Sequence, residues 1–230
     1  LQEFFGYSAY KKLFRLYKEN HITAAEMVAI TPPSASVLID GDILSLYFDG
    51  FFSKDDLLGI TAESASALTN TKVRSLLSDG VLTKDFILKL NRTSLKALNA
   101  RCTVELLLGG YLSANDLPML SYPSLSVLDD NILPLVRNNI LDVNFILNVS
   151  ERIAIGLKGD AVKELLKVGY LKQDDLFILS DNAFKLLQCH DVVTVLLEKP
   201  EIIAKEELFS ITDDGLDKLQ NSIVLNVETA

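Results

Sequence analysis

Gly50, Gly80 and Gly110 stand thirty residues apart, and Asn20 stands thirty before the first of them. Asn139 and Gly169 continue the series at intervals of 29 and 30. Gly and Asn are the two residue types that enter the left-handed backbone region most readily, which is where helices are closed. An apolar pair follows each of these sites from Gly50 onward: Phe51-Phe52, Val81-Leu82, Tyr111-Leu112, Ile140-Leu141 and Tyr170-Leu171. A period this short restricts the fold strongly. One thirty-residue unit cannot bury its own apolar face, whereas stacked neighbours can cover one another's.

Further columns repeat at the same interval. One runs Leu57, Ile87, Leu117, Ile146, Leu176 and Leu208, another Leu38, Leu68, Leu98, Leu128, Leu157, Leu187 and Leu219. Each unit reads as three short helices. The first carries apolar residues at i, i+3 and i+4, as in Val73, Leu76 and Leu77 or Val162, Leu165 and Leu166, which makes one stripe. The second opens on a hydroxyl with an acid three residues later: Thr23 and Glu26, Ser53 and Asp56, Ser113 and Asp116. That is the capping-box spacing. The third opens on Thr31, Thr61, Asn91, Ser121, Ser150, Ser180 or Thr212, whose side chains accept hydrogen bonds from the first-turn amides. Pro32 and Pro123 fall just inside those starts, where a missing N–H costs little.

The expected fold is therefore all-α: an α-solenoid, wound as a right-handed superhelix, of about seven three-helix repeats of ~30 residues. Residues 11–221 form the repeat domain, 1–10 an N-terminal cap and 222–230 a C-terminal tail, with a small insertion near Pro200-Glu201. A compact globule of the same units is the alternative.

Charge and composition narrow the function. The net charge is −9, which repels phosphate backbones and disfavours generic nucleic-acid binding. Two cysteines, Cys102 and Cys189, make no disulfide framework and suit a reducing compartment. No apolar run approaches the roughly 20 residues that span a bilayer, so no membrane insertion is expected. The opening Leu-Gln-Glu-Phe-Phe-Gly shows no signal-peptide pattern and no initiator Met, as expected of a fragment of a longer chain. The expected location is the cytoplasm, including a host cytosol reached by bacterial secretion.

Chemistry-bearing patterns are sparse. His21 lies beside the helix-closing Asn20, where a polar or positive group suits the end of a helix. Cys189 and His190 are sequence neighbours, which point apart on a helix and do not form a nucleophile–base pair. The acid pairs Asp55-Asp56, Asp129-Asp130, Asp174-Asp175, Glu206-Glu207 and Asp213-Asp214 mostly fall at helix starts, which makes them caps. There is no phosphate-binding loop and no calcium loop. Accordingly no catalytic, metal or cofactor residues are assigned, and no small-molecule ligand is expected.

The units FSKDDLLGITAESASALTNTKVRSLLSDG (52–80) and LTKDFILKLNRTSLKALNARCTVELLLGG (82–110) resemble the repeats of transcription-activator-like effectors and of mitochondrial transcription termination factors. The resemblance covers roughly residues 11–220. It implies a superhelix with a nucleic-acid groove, although the acidic charge and the absence of a recurring Lys or Arg set this chain apart. The leucine-rich, degenerate units also resemble helical-repeat effectors of intracellular bacteria such as Legionella, which implies docking on a host protein. The resulting expectation is a non-catalytic scaffold that binds a protein partner. The alternatives are a nucleic-acid-binding repeat protein and an accessory domain of a larger enzyme. The candidate partner-binding residues are Arg92, Tyr122, Arg152, Asp181 and Asn182 on the variable ridge, and Arg74 and Arg137 on the first-helix face.

Overall fold

The computed structural model describes residues 2–199 and 204–215, and every regular element among them is helical. The chain opens with α1 (Gln2–Lys18), α2 (Ala24–Ala29) and α3 (Pro32–Leu38), followed by α4 (Gly41–Phe48), α5 (Lys54–Leu58) and α6 (Ala62–Thr69). Next come α7 (Thr71–Ser78), α8 (Lys84–Leu88), α9 (Arg92–Asn99) and α10 (Arg101–Leu108), and then a 3-10 turn at Leu117–Met119. Beyond it lie α11 (Tyr122–Val127), α12 (Ile132–Arg137), α13 (Val143–Leu147), α14 (Glu151–Lys158) and α15 (Asp160–Lys167). The last are α16 (Asp175–Ile178), α17 (Asp181–Leu186), α18 (His190–Glu198) and α19 (Lys205–Phe209). Two compact units divide at Pro118 and Met119. In the first, α3 packs on α6 and α6 on α9, with α7 against α10. In the second, α11 packs on α14 and α14 on α17, while α12 packs on α15 and α15 on α18.

Helix closure follows the periodic Gly and Asn. Asn20, Gly50, Gly80, Gly110, Asn139 and Gly169 all have positive φ, between 56° and 78°. At Gly80 the Val81 amide donates to Leu76 O at 2.9 Å and the Gly80 amide to Leu77 O at 3.1 Å. This is the Schellman pairing, and it satisfies two carbonyls that a helix end leaves open. It recurs with the same partners in register at Asn20, Gly50, Gly110 and Asn139. Helix starts are equally regular. Thr31, Thr61, Asn91, Ser121, Ser150 and Ser180 each accept the N3 amide of the helix that follows. Thr212 accepts from the Gly215 amide in the same way. The apolar columns fill the core. Leu57, Ile87, Leu117, Ile146, Leu176 and Leu208 are all buried, as are Leu38, Leu68, Leu98, Leu128, Leu157 and Leu187. Leu219, the Pro200-Glu201 insertion and the 222–230 tail lie outside the described residues.

One expected helix start is absent. Ser113 and Asp116 do not open a helix: Asp116 Oδ2 accepts from both the amide and the hydroxyl of Ser113, and the chain continues as a 3-10 turn. Pro118 is the reason. It stands where α5 and α8 have Leu58 and Leu88, and its ring removes the N–H that an α-turn would donate to residue 114.

That turn has a consequence one unit earlier. Buried serines at N3 of the third helices reach carbonyls at the end of the next second helix: Ser34 Oγ to Leu58 O at 2.7 Å, Ser64 Oγ to Ile87 O at 2.6 Å, and Ser124 Oγ to Leu147 O at 3.3 Å. Ser94 occupies the same register and is equally buried, yet its hydroxyl has no partner. Its acceptor would lie near Leu117, where the α-turn is missing. Ser64→Ala should therefore destabilise the protein by about 1–2 kcal/mol, whereas Ser94→Ala should be neutral or slightly stabilising. Urea unfolding of the two variants checks this, and equal losses would refute it.

Candidate functional site

The repeated caps place the variable residues of the ridge at the first two positions of each third helix. In the second compact unit three such helices lie side by side, opening on Tyr122-Pro123 (α11), Glu151-Arg152 (α14) and Asp181-Asn182 (α17). Between α14 and α17 runs an open groove of about 590 Å³. Its apolar floor is Ile155, which is 52% exposed, beside the ring of Phe184, which is 4% exposed. Glu151, Asp181 and Lys185 form a charged rim.

The groove depends on one glycine. Gly156 lies inside α14 at a position where the other units carry Val37, Ala67, Ala97, Val127 and Leu186, all buried. A Cβ at 156 would overlap the Phe184 ring. The unit thus exchanges a side chain on one helix for a large ring on the next, which keeps the total volume filled.

Arg152 is held from inside the unit. Its guanidinium donates to Leu179 O at 2.6 Å and to Phe177 O at 2.9 Å, at the C-terminal end of α16. The open carbonyls at that helix end attract a cation. The same guanidinium lies 5.9 Å from the Phe184 ring centroid. One register later, Asn182 Nδ2 donates to Ile211 O at 3.5 Å. Arg152 and Asn182 therefore tie neighbouring units together as well as lining the ridge.

The other candidates are dispersed. Tyr122 is 78% exposed at the first position of α11. Asp181 is exposed on the rim of the groove. Arg92 is exposed at the first position of α9, in the other compact unit. Arg74 is largely covered, donating to Leu68 O at 2.7 Å and to Asp42 Oδ2 at 2.7 Å. Arg137 is exposed in the last turn of α12. The groove brings together only Arg152 and Asp181, with Asn182 adjacent in sequence.

Charge pairing between units follows a rule that the caps create. Glu26 and Asp56, the N3 acids of two capping boxes, each receive a lysine from the first position of the next second helix. Lys54 reaches Glu26 at 2.7 Å and Lys84 reaches Asp56 at 3.2 Å. Lys205 reaches Asp175 at 3.0 Å, and Gln173 takes the equivalent place against Asp142 at 2.9 Å. The Lys54 bond, then the Thr23 amide, hold Glu26 below the usual carboxylate range. Asp56 is pushed up by burial, but its bonds from Ser53 and Lys84 outweigh that and leave it lowered. Asp142 is lowered first by Gln173 and then by the Phe145 amide.

No family model, no curated protein and no solved structure matches this chain.

The groove lining offers two acids, a lysine, and an arginine whose guanidinium is bound by carbonyls. His21 packs its ring against Phe48 at 4.9 Å and Tyr47 at 6.0 Å between centroids, a structural contact. Cys102 and Cys189 form no disulfide. Among the described residues no three His, Cys, Asp or Glu side chains gather as metal ligands, and no helix is long and apolar enough to cross a membrane.

Ile155, Phe184 and Lys185 were not among the residues singled out from sequence. Two signals were available: Gly156, a glycine inside a helical stripe where the repeat otherwise places a side chain, and Ile155, an apolar residue in a column that otherwise carries Ser or Lys.

Proposed function

We propose that this chain is a protein-binding scaffold: an α-solenoid of about seven three-helix repeats, wound right-handed, that grips a protein partner along its third-helix ridge. What carries the reading is the α14–α17 groove, with exposed Ile155 beside buried Phe184 and a charged rim around both. Apolar side chains open to solvent inside a polar rim are the anatomy of a protein interface. Tyr122, on the adjoining helix α11, supplies a large amphipathic anchor of the kind that dominates interface energetics. The lining balances Glu151 and Asp181 against Arg152 and Lys185, so it lacks the net positive charge that favours a phosphate backbone.

The test is site-specific photocrosslinking in cells. A photoreactive residue replacing Ile155 or Tyr122 should yield discrete protein adducts, and one replacing exposed Val28 should not. Ile155→Asp should remove the Tyr122 adducts while leaving the helical circular dichroism unchanged. Adducts of equal yield from all three positions, or from none, would refute the reading.

A further inference from the structure

The face formed by α14 and α17 has a charge order along its length. The two helices run the same way. Arg152, in the first turn of α14, donates to Leu179 O, one residue before the Ser180 cap of α17, and Gly156, one turn on, faces the Phe184 ring. Their exposed stripes are therefore in register. On α14 the stripe is Glu151, Ile155 and Lys158, and on α17 it is Asp181, Lys185 and Gln188. Both stripes open on an acid at the first helical position, and both carry a lysine farther along. Ile155, with the Phe184 ring beneath, gives the middle of the face its apolar character.

Elsewhere in this compact unit cations reach acids of a neighbouring repeat, Lys163 to Asp129 and Lys205 to Asp175, each at 3.0 Å. Around this face the charges are left open. Among the described residues the side chains of Glu151, Lys158, Asp181 and Lys185 make no ion pair and no hydrogen bond. A surface acidic at one end, apolar in the middle and basic at the other is complemented by the same order reversed end for end. A half-turn about an axis through its own centre produces that reversed order.

We infer that the α14–α17 face binds the same face of a second copy of the chain, as a two-fold symmetric dimer. In it α14 of each copy lies antiparallel against α17 of the other. The residues sit at matching turns on both helices, so antiparallel alignment brings Lys158 of one copy to Asp181 of the other. The methylene stem of Lys185 then covers Ile155, and the Gln188 amide meets Glu151. The two-fold makes each contact twice, as in any isologous interface. Charge selects this occupant, because the face carries the complement of its own charge order. The interface is two helices wide and its ion pairs are solvent-exposed, so the dimer depends on protein concentration and weakens with salt.

The inference rests on the protein-binding reading of this groove and names the partner. The experiment is sedimentation velocity on the full chain across protein and salt concentrations. The sedimentation coefficient should rise with protein and fall with salt. Asp181→Lys and Lys158→Asp should each weaken dimerisation about tenfold or more, since each sets two like-charge pairs across the interface. An equimolar mixture of the two variants should dimerise again, and so should the double variant Asp181→Lys/Lys158→Asp, because both arrangements restore opposite charges. Circular dichroism confirms that the variants fold. A chain that stays monomeric throughout, or a dimer that ignores both reversals, overturns the inference. A monomeric chain whose photoreactive residue at Ile155 captures a different protein in cells overturns it too, but leaves the protein-binding reading standing. Absence of any adduct in cells removes both.

Discussion

Leu57→Ala should lower stability by about 2–5 kcal/mol, the range for emptying a fully enclosed leucine site. Leu57 has no solvent exposure and sits in α5, which packs on α3. Leu176 occupies the same register in the other compact unit, is equally enclosed, and should give a loss in the same range. Where the loss appears is as informative as its size. In a stack held by nearest-neighbour contacts, damage at Leu57 loosens adjacent helices first. Hydrogen exchange on Leu57→Ala should therefore show lost protection in α3–α8, with α14–α17 retained. Uniform loss along the chain would favour a single cooperative globule over a solenoid.

Asp129→Ala should destabilise by roughly 2–4 kcal/mol, while Lys163→Met should fall within about 1 kcal/mol of neutral. The asymmetry comes from burial. The Lys163 side chain is only 2% exposed, and its ammonium meets Asp129 Oδ2 at 3.0 Å, with Asp160 farther off at 3.9 Å. Removing Asp129 strands that cation. It also removes the acceptor, Oδ1, for the Asn131 and Ile132 amides at 2.9 and 3.0 Å, which caps α12. Methionine at 163 keeps the apolar stem and needs no counter-charge. The pair Asp129→Ala/Lys163→Met should therefore be more stable than Asp129→Ala alone. Chemical denaturation of the three variants decides it, and equal losses for both single variants would refute the argument.

The capping acids set a direction for pH. Glu26, Asp56 and Asp142 all have lowered pKa values in the folded chain. A carboxyl held lower when folded than when unfolded contributes stability above its unfolded pKa, and that contribution is lost as pH falls through the folded value. Stability should accordingly decline on acidification below the ordinary carboxylate range, which thermal melts across that range measure.

Local structure was legible because it depends on near neighbours along the chain. Gly80 closes α7 through bonds to Leu76 and Leu77, and Thr61 opens α6 through a bond to Ser64, all within five residues. Such contacts leave a signature at fixed spacing, and a thirty-residue period repeats it. The failure at Ser113 and Asp116 is of the same local kind: Pro118 was visible in the sequence and outweighed the capping pattern.

The site was legible only in part, because exposure and reach are decided between units. Arg74 and Arg152 look like surface cations in sequence, yet each is drawn onto carbonyls, one of them 27 residues away. Ile155 stands in register with Ser66, Lys96 and Lys185, a polar column, but that it lines an open groove beside the Phe184 ring, which packs where Gly156 has no Cβ, is decided between units.

The sequence by itself determined that helices would form, where most of them start and stop, and which leucines would be enclosed, since hydrogen bonds to adjacent amides and a three-to-four-residue apolar stripe are enough for that. Only the tertiary structure decided which cations are spent on neighbouring carbonyls, which hydroxyl is left without a partner at Ser94, and which apolar side chains line an open groove between α14 and α17. Those outcomes turn on distances between residues some thirty positions apart, and a one-dimensional pattern does not encode them.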